Sequence, residues 1–413
     1  MIITIDGFRP DFYMDKEWGM VNLLEMKENG IYAKGVNSTF PTLTFPNHTT
    51  IITGQRSKNH GVYYNAPFDG SEWYWYAQDI KVPTLWDLAK KEGLITASVN
   101  WPVSVGAPID YNIPIIKEKG RPQLEVIKEF SNPKGFLDEI ERNATGILSH
   151  EDMVVSGNLI AMDENVGRAS AYILRRYKPS LMTIRFSSID HFQHKEGRNG
   201  PTVKKAVAGV DRALRNIIES LERGGVLKES TIIVTGDHGF VDVHTTIYPN
   251  VWLREAGLIM DKKFWKAKFY TTGGSAFLML RDKNDESTKF KIREILEELP
   301  HSHRKLFKVV EKEVLTEMGT DPSPVLALAG QKGIRFGGRI TGNDIGPAKG
   351  GSHGYFPDFN EIQTGFVACG AGINKGNVIS EMGLEDIAPI VSALLGLPLK
   401  TNEGVLMEGV LSD

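Results

Sequence analysis

Thr42 and Thr44, in the run Phe40-Pro41-Thr42-Leu43-Thr44-Phe45-Pro46-Asn47-His48, are candidate hydroxyl nucleophiles. An alcohol attacks poorly at neutral pH and needs a base or a metal to become an alkoxide. Pro46 stands two residues after Thr44. Proline suits the first turn of a helix, where its missing N–H costs nothing. The apolar residues after His48 read as the body of that helix. Thr44 is therefore expected on the turn that enters a helix N-terminus, where free backbone N–H groups and the positive end of the dipole favour a phosphate.

Six other residues could supply the metal: Asp6, Asp190, His194, Asp237, His238 and His353. Carboxylate oxygen and imidazole nitrogen without thiolate form a ligand set that suits catalytic zinc. Six such groups and a hydroxyl would fill two neighbouring sites. Two metals roughly 4 Å apart can clamp the attacking and leaving oxygens of an in-line phosphoryl displacement. Taken singly, each residue has an ordinary structural reading, because an aspartate after a strand is most often a cap or turn residue. Their joint ordering carries the chemical reading.

Such residues need a scaffold that brings them to one edge. Ile2–Ile5 runs into Asp6-Gly7, Leu181–Phe186 into Ser187-Ser188-Ile189-Asp190, and Thr231–Thr235 into Gly236-Asp237-His238-Gly239. Short apolar runs of this kind suit buried parallel strands, and α/β sheets place their sites at the carboxyl ends of strands. Further strands are expected at 31–36, 95–100 and 366–369, and helices at 20–29, 84–92, 157–177, 203–223 and Ile387–Leu395. The alternation predicts an α/β fold, a doubly wound and mostly parallel sheet sandwiched by helices. Residues 103–155 show no clear strand and read as a helical excursion. Between 244 and 341 the pattern changes to a strand at 277–280 and a helix at 287–299, as in a small α/β insertion. The expected organisation is a catalytic core of 1–243 and 342–413 with a cap-like subdomain at 244–341.

The 413 residues carry a formal net charge of −3, so no general basic surface invites nucleic acid. Cys369 is the single cysteine, which excludes an intrachain disulfide and a thiolate metal cluster. No apolar run reaches the roughly 18–20 residues of a membrane span. A strand beginning at Ile2 without an apolar leader fits a cytoplasmic protein, although a trimmed secreted chain is compatible. The aromatic cluster Trp73-Tyr74-Trp75-Tyr76 reads as a core patch or as one wall of a substrate pocket.

The strings Ile5-Asp6-Gly7-Phe8-Arg9, Pro41-Thr42-Leu43-Thr44-Phe45-Pro46-Asn47-His48, Asn59-His60-Gly61-Val62, Asp190 with His194, Asp237-His238-Gly239 and Gly351-Ser352-His353-Gly354-Tyr355 resemble the nucleotide pyrophosphatase/phosphodiesterase family of the alkaline phosphatase superfamily. They occur in the family's order and span nearly the whole chain. The resemblance implies an alkaline phosphatase-like core and Thr44, rather than Thr42, as the nucleophile. It implies one zinc site of Asp6, Thr44, Asp237 and His238, and a second of Asp190, His194 and His353, with other divalent ions compatible. Asn65 matches the asparagine that holds a non-bridging phosphate oxygen, and Phe45 the aromatic lining the pocket for the leaving or nucleoside group. The implied activity is hydrolysis of phosphodiester or pyrophosphate bonds in small molecules or nucleotides through a covalent threonyl-phosphoester. Phosphonoacetate hydrolase, phosphomonoesterase and sulfatase chemistries share the bimetal arrangement and stand as alternatives. His48 matches no ligand and reads as a structural partner. Leu43 stands where animal members often carry lysine, and His191 is an extra imidazole beside the ligands. No arginine is evident near the nucleophile, which favours diesters over the more highly charged monoesters.

Overall fold

Ile2–Ile5 is buried along its whole length and forms β1, in the interior of the main sheet. The computed structural model describes residues 1–149, 152, 157–261 and 263–412. In chain order there follow α1 (Val21–Glu28), β2 (Ile31–Ala33), α2 (Thr44–Thr53), α3 (Leu85–Lys91), β3 (Thr96–Val99) and β4 (Tyr111–Ile113). Next come α4 (Leu159–Tyr177), β5 (Leu181–Phe186), α5 (Ser188–Glu196), α6 (Pro201–Arg223) and β6 (Thr231–Thr235). The chain then forms β7 (Ala267–Thr271), β8 (Ser275–Leu280), α7 (Glu286–Glu298), β9 (Phe307–Glu311) and β10 (Leu326–Gly330), and closes with β11 (Phe366–Gly370), β12 (Val378–Ile379) and α8 (Ile387–Leu395).

The main sheet has eight strands in the order β12-β2-β11-β6-β1-β5-β3-β4. All neighbours pair in parallel except those of β11, which is antiparallel to both β6 and β2. Alternating side chains of β1 serve opposite faces, as the strand period of two requires. Ile3 and Ile5 join Ile184, Val234 and the apolar faces of α4 and α6, including Val166, Ile173, Val207 and Leu214. Ile2 joins Leu181 and Ile233 with Ile51 of α2, Trp86 of α3 and Ile390 of α8. Helices thus cover both faces, which is what an all-buried parallel strand demands. Among the described residues no helix is long and apolar enough to cross a membrane.

Two local expectations change. The run at 31–36 breaks after Ala33, and Val36–Asn37 pairs instead with Met382–Gly383. The stretch 103–155 does hold a strand, Tyr111–Ile113, parallel to β3 at the sheet edge. Three residues are too few to show a period in sequence. The excursion expected there also covers residues 150, 151 and 153–156, which lie outside the described residues.

Strands β7 to β10 form a separate antiparallel sheet in the order β7-β8-β10-β9. Only β8 is readable in part from its apolar run. One face of this sheet packs on α7 through Ile292 and Leu296. The other face presents Phe277, Met279, Ala327 and Ala329 to Phe40, Leu43 and Tyr64. The second sheet therefore buttresses the turn that carries Thr44.

Candidate bimetal site

Parallel pairing brings three strand ends to one edge. Ile5 is in register with Phe186, and Thr4 with Thr235. The Asp6 N–H continues the ladder by donating to the Phe186 carbonyl at 2.9 Å. Asp6 and Asp237 thus leave adjacent strands side by side. Gly7 then turns with φ +69, and its N–H donates to Asp237 Oδ1 at 3.1 Å. A side chain at Gly7 would be strained by that φ and would meet Gln193 Nε2 at 2.7 Å.

Asp6, Asp237 and His238 offer one ligand atom each within 4.8 Å of one another, and Asp190, His194 and His353 form a second such group. In the first group Asp6 Oδ1 lies 3.4 Å from His238 Nε2, which lies 3.3 Å from Asp237 Oδ2. All three of these atoms are buried without a hydrogen-bond partner among the described residues. In the second group, Asp190 Oδ1 is likewise unpartnered and lies 3.4 Å from His194 Nε2 and 3.6 Å from His353 Nε2. Buried polar atoms left unpaired are costly, and here they converge in the manner of metal ligands.

The histidines are prepared for that role. Nδ1 of His194 lies 3.1 Å from the Gly351 carbonyl, that of His238 3.0 Å from Gly239 and that of His353 2.8 Å from Thr42. A carbonyl only accepts, so each Nδ1 carries the proton and each Nε2 presents a lone pair. Burial lowers the pKa of all three, that of His238 to about 4, which favours the neutral form that binds metal. Burial, reinforced by the charge of Asp6, pushes the Asp190 and Asp237 carboxyls well above their usual range. Burial is the largest single influence on Asp6 and opposes its ionisation, but the Arg185 guanidinium together with His238, His48 and Asp237 outweighs it and holds that carboxyl below the usual range. Carboxylates buried together need cations, so the donor set fits two divalent ions.

Thr44 is the first residue of α2, with Leu43 as N-cap, so the helix opens two residues before Pro46. Pro46 falls at the third position, still among the N–H groups that a helix leaves unpaired. Gly54 ends the helix at φ +65. The turn is tied to both ligand groups. The Thr42 carbonyl holds His353, while Asn47 Nδ2 and Ser38 Oγ both donate to the Asp237 carbonyl at 2.8 Å. His48 has both nitrogens engaged, Nε2 with Thr4 Oγ1 at 2.9 Å and Nδ1 with the Thr44 carbonyl at 2.8 Å. It is locked as a brace between β1 and α2.

Asn65 Oδ1 accepts the Phe45 N–H at 2.9 Å, which spends a backbone donor that the sequence assigned to phosphate. Asn65 Nδ2 is then the donor this pair offers. Phe45 is only 1% exposed and is covered by Trp73 and Trp75 in edge-on contacts at 5.2 and 5.5 Å. Trp73 is 46% exposed and stacked on Trp75, so the aromatic surface open to solvent here is its own.

Sequence reading missed three residues. Arg185, buried in β5, donates through Nε and Nη2 to Asp6 Oδ2. Its signal was a cation inside an apolar strand. Asp163 of α4 accepts the N–H groups of Ser187 and Ser188 at 2.8 and 2.9 Å, at the start of the helix that carries Asp190 and His194. Asn100, with φ 60, donates to the Arg185 carbonyl at 2.9 Å. Nothing in sequence marks the last two.

The sequence profile described as "Type I phosphodiesterase / nucleotide pyrophosphatase" matches residues 1–356. The chain belongs to that family, within the alkaline phosphatase superfamily. It is 22% identical to ectonucleotide pyrophosphatase/phosphodiesterase family member 3 of Rattus norvegicus, covering 98% of this chain and 42% of the relative. With family member 7 of the same species it shares 22% identity over 98% of this chain and 84% of the relative. The chain thus spans less than half of the family member 3 proteins, at 42% and 43% of their length. Human ectonucleotide pyrophosphatase/phosphodiesterase 5 superposes with a TM-score of 0.73 at 16% identity, covering 100% of this chain and 99% of that one. An inactive threonine-to-alanine variant of the murine protein, in complex with AMP, superposes with a TM-score of 0.69 at 18% identity over 100% of this chain and 99% of that one.

Proposed function

We propose that this chain is a two-metal phosphodiesterase acting on nucleotide-like diesters or phosphoanhydrides. The observation that carries the reading is the pair of converging ligand groups fastened to the Thr44 turn, four of whose facing atoms have no hydrogen-bond partner among the described residues. Asp6, Thr44, Asp237 and His238 would hold one divalent ion, and Asp190, His194 and His353 the other, with zinc the ion this donor set suits. When bound, such ions lower the pKa of a ligated hydroxyl and neutralise charge on attacking and leaving oxygens.

Thr44 Oγ1 attacks phosphorus as the bond from phosphorus to the leaving oxygen breaks, giving a threonyl-phosphoester. The Thr44 proton passes to solvent, and the leaving oxygen departs as an alcohol or phosphate that takes up a proton from water. Asn65 Nδ2 donates to a non-bridging oxygen as negative charge shifts onto it. Water then hydrolyses the ester from the side the leaving group vacated and regenerates the Thr44 hydroxyl. Trp73 supplies an exposed face for a base, in keeping with the AMP bound to the murine relative. Arg185 is committed to Asp6, so its presence does not argue for a monoester.

The test compares hydrolysis of a nitrophenyl nucleoside monophosphate diester with that of nitrophenyl phosphate, using metal-stripped and zinc-reloaded protein. The expected result is a zinc-dependent diester preference, with T44A losing at least about 10³-fold in kcat while still binding metal. A monoester preference would move the assignment to the phosphatases, and two bound zincs without either activity to a phosphonate or sulfate hydrolase.

A further inference from the structure

Among the described residues, Asp6 is the one carboxylate of the cluster paired with an arginine. Arg185 faces Thr4 in the register of β5 against β1, and Asp6 is two residues beyond Thr4. From there both Nε, at 3.1 Å, and Nη2 reach the same oxygen, Asp6 Oδ2. Asp6 Oδ1 stays without a hydrogen-bond partner among the described residues and lies 3.4 Å from His238 Nε2. The Arg185 backbone carbonyl accepts from Asn100 Nδ2 at 2.9 Å, and the side chain is 9% exposed, with Nη1 buried and without a hydrogen-bond partner among the described residues. A planar fork on one carboxylate oxygen fixes both the position and the rotation of that carboxylate, which a lysine ammonium cannot do.

We infer that Arg185 is a positioning residue that makes Asp6 a one-oxygen ligand, reserving Oδ2 for itself and presenting only Oδ1 to the ion shared with Asp237 and His238. This rests on the two-metal reading. It goes beyond that reading by assigning an unequal dependence of the two sites on a residue that touches neither ion. Asp190, His194 and His353 form their group without any hydrogen bond to Arg185 among the described residues. Partners that orient a metal ligand typically govern about 10- to 100-fold in affinity.

The experiment titrates metal-stripped wild type, R185K and R185Q with Co2+, following calorimetric stoichiometry and the visible absorption that reports coordination at each site. In wild type two ions bind. In both variants one affinity falls about 10- to 100-fold and its absorption band changes, while the other ion binds as before. Unchanged binding of both ions, or an equal loss at both, would overturn the inference and leave the two-metal reading standing. Failure of wild type to bind two ions would remove that reading and the inference with it. If neither variant folds, a crystal structure of Co2+-loaded wild type decides. Asp6 on the metal through one oxygen with Arg185 in place supports the inference, and a two-oxygen Asp6 with Arg185 released overturns it.

Discussion

At the scale of single residues, chemistry here depends on which atom of a side chain is already spoken for. The three candidate ligand histidines give Nδ1–H to backbone carbonyls and keep Nε2, whereas His48 spends both nitrogens on Thr4 and Thr44. Phe45 and Trp73 divide one role in the same way, the first filling the wall and the second facing solvent. W73A should therefore raise KM for a nucleoside diester about 2- to 10-fold at nearly constant kcat, which steady-state kinetics on that substrate would show. His60 gives a pH prediction. It is fully buried, accepts the Val62 N–H through Nδ1 at 3.1 Å and contacts Thr50 Oγ1 through Nε2 at 3.2 Å. Burial lowers its pKa from 6.5 to about 3. On acidification the unfolded chain takes up a proton that the folded chain refuses, so this histidine's contribution is intact above 6.5 and is lost as pH falls toward 3. The loss approaches about 1.4 kcal/mol per pH unit. Metal-free H60Q should show a shallower fall in Tm from about pH 7 to pH 5 than wild type.

At the scale of elements, α5 is aimed from its first turn. Asp163, reaching from α4, accepts both Ser187 and Ser188 N–H groups. This is a helix cap supplied by a different helix, and removing such an acceptor costs about 0.5–2 kcal/mol. D163A should lose about that much stability by urea denaturation, and should weaken metal binding at the Asp190, His194 and His353 group more than at the Asp6 group. The starts of α5 and α2 illustrate two levels of legibility. Pro46 announces α2 in the sequence because its ring restricts the backbone locally. The cap of α5 lies 24 and 25 residues away along the chain and has no local signature.

At the scale of the whole molecule, the antiparallel sheet is part of the machinery. Phe277 packs on Phe40 at 5.2 Å and on Tyr64 at 5.4 Å, and Tyr270 Oη donates to the Ala66 carbonyl at 2.8 Å. Asn65 is therefore held between the core and this sheet. Y270F removes about 1 kcal/mol of restraint. It should lower kcat/KM on a diester by up to about fivefold without releasing metal, as paired kinetics and metal analysis would show.

The sequence by itself determined the parallel core and its ligand types. Short apolar runs leading directly to Asp6 and Asp237, and through the first turn of α5 to Asp190, are local patterns, and a strand's end dictates which edge the residues after it occupy. Helix-period and strand-period signals arise from neighbours in the chain, so 203–223 and Ile2–Ile5 are legible without a fold. Tertiary structure alone decided which nitrogen or oxygen of each ligand remains available, that Arg185 guards one oxygen of Asp6, and that Asn65 spends its carbonyl on Phe45. Apart from His238, whose Nδ1 meets the carbonyl of the adjacent Gly239, these outcomes rest on contacts such as those between residues 20, 179 and 311 positions apart. Burial then turns each such pairing into a large energetic preference, because a polar atom in the interior has no water to fall back on.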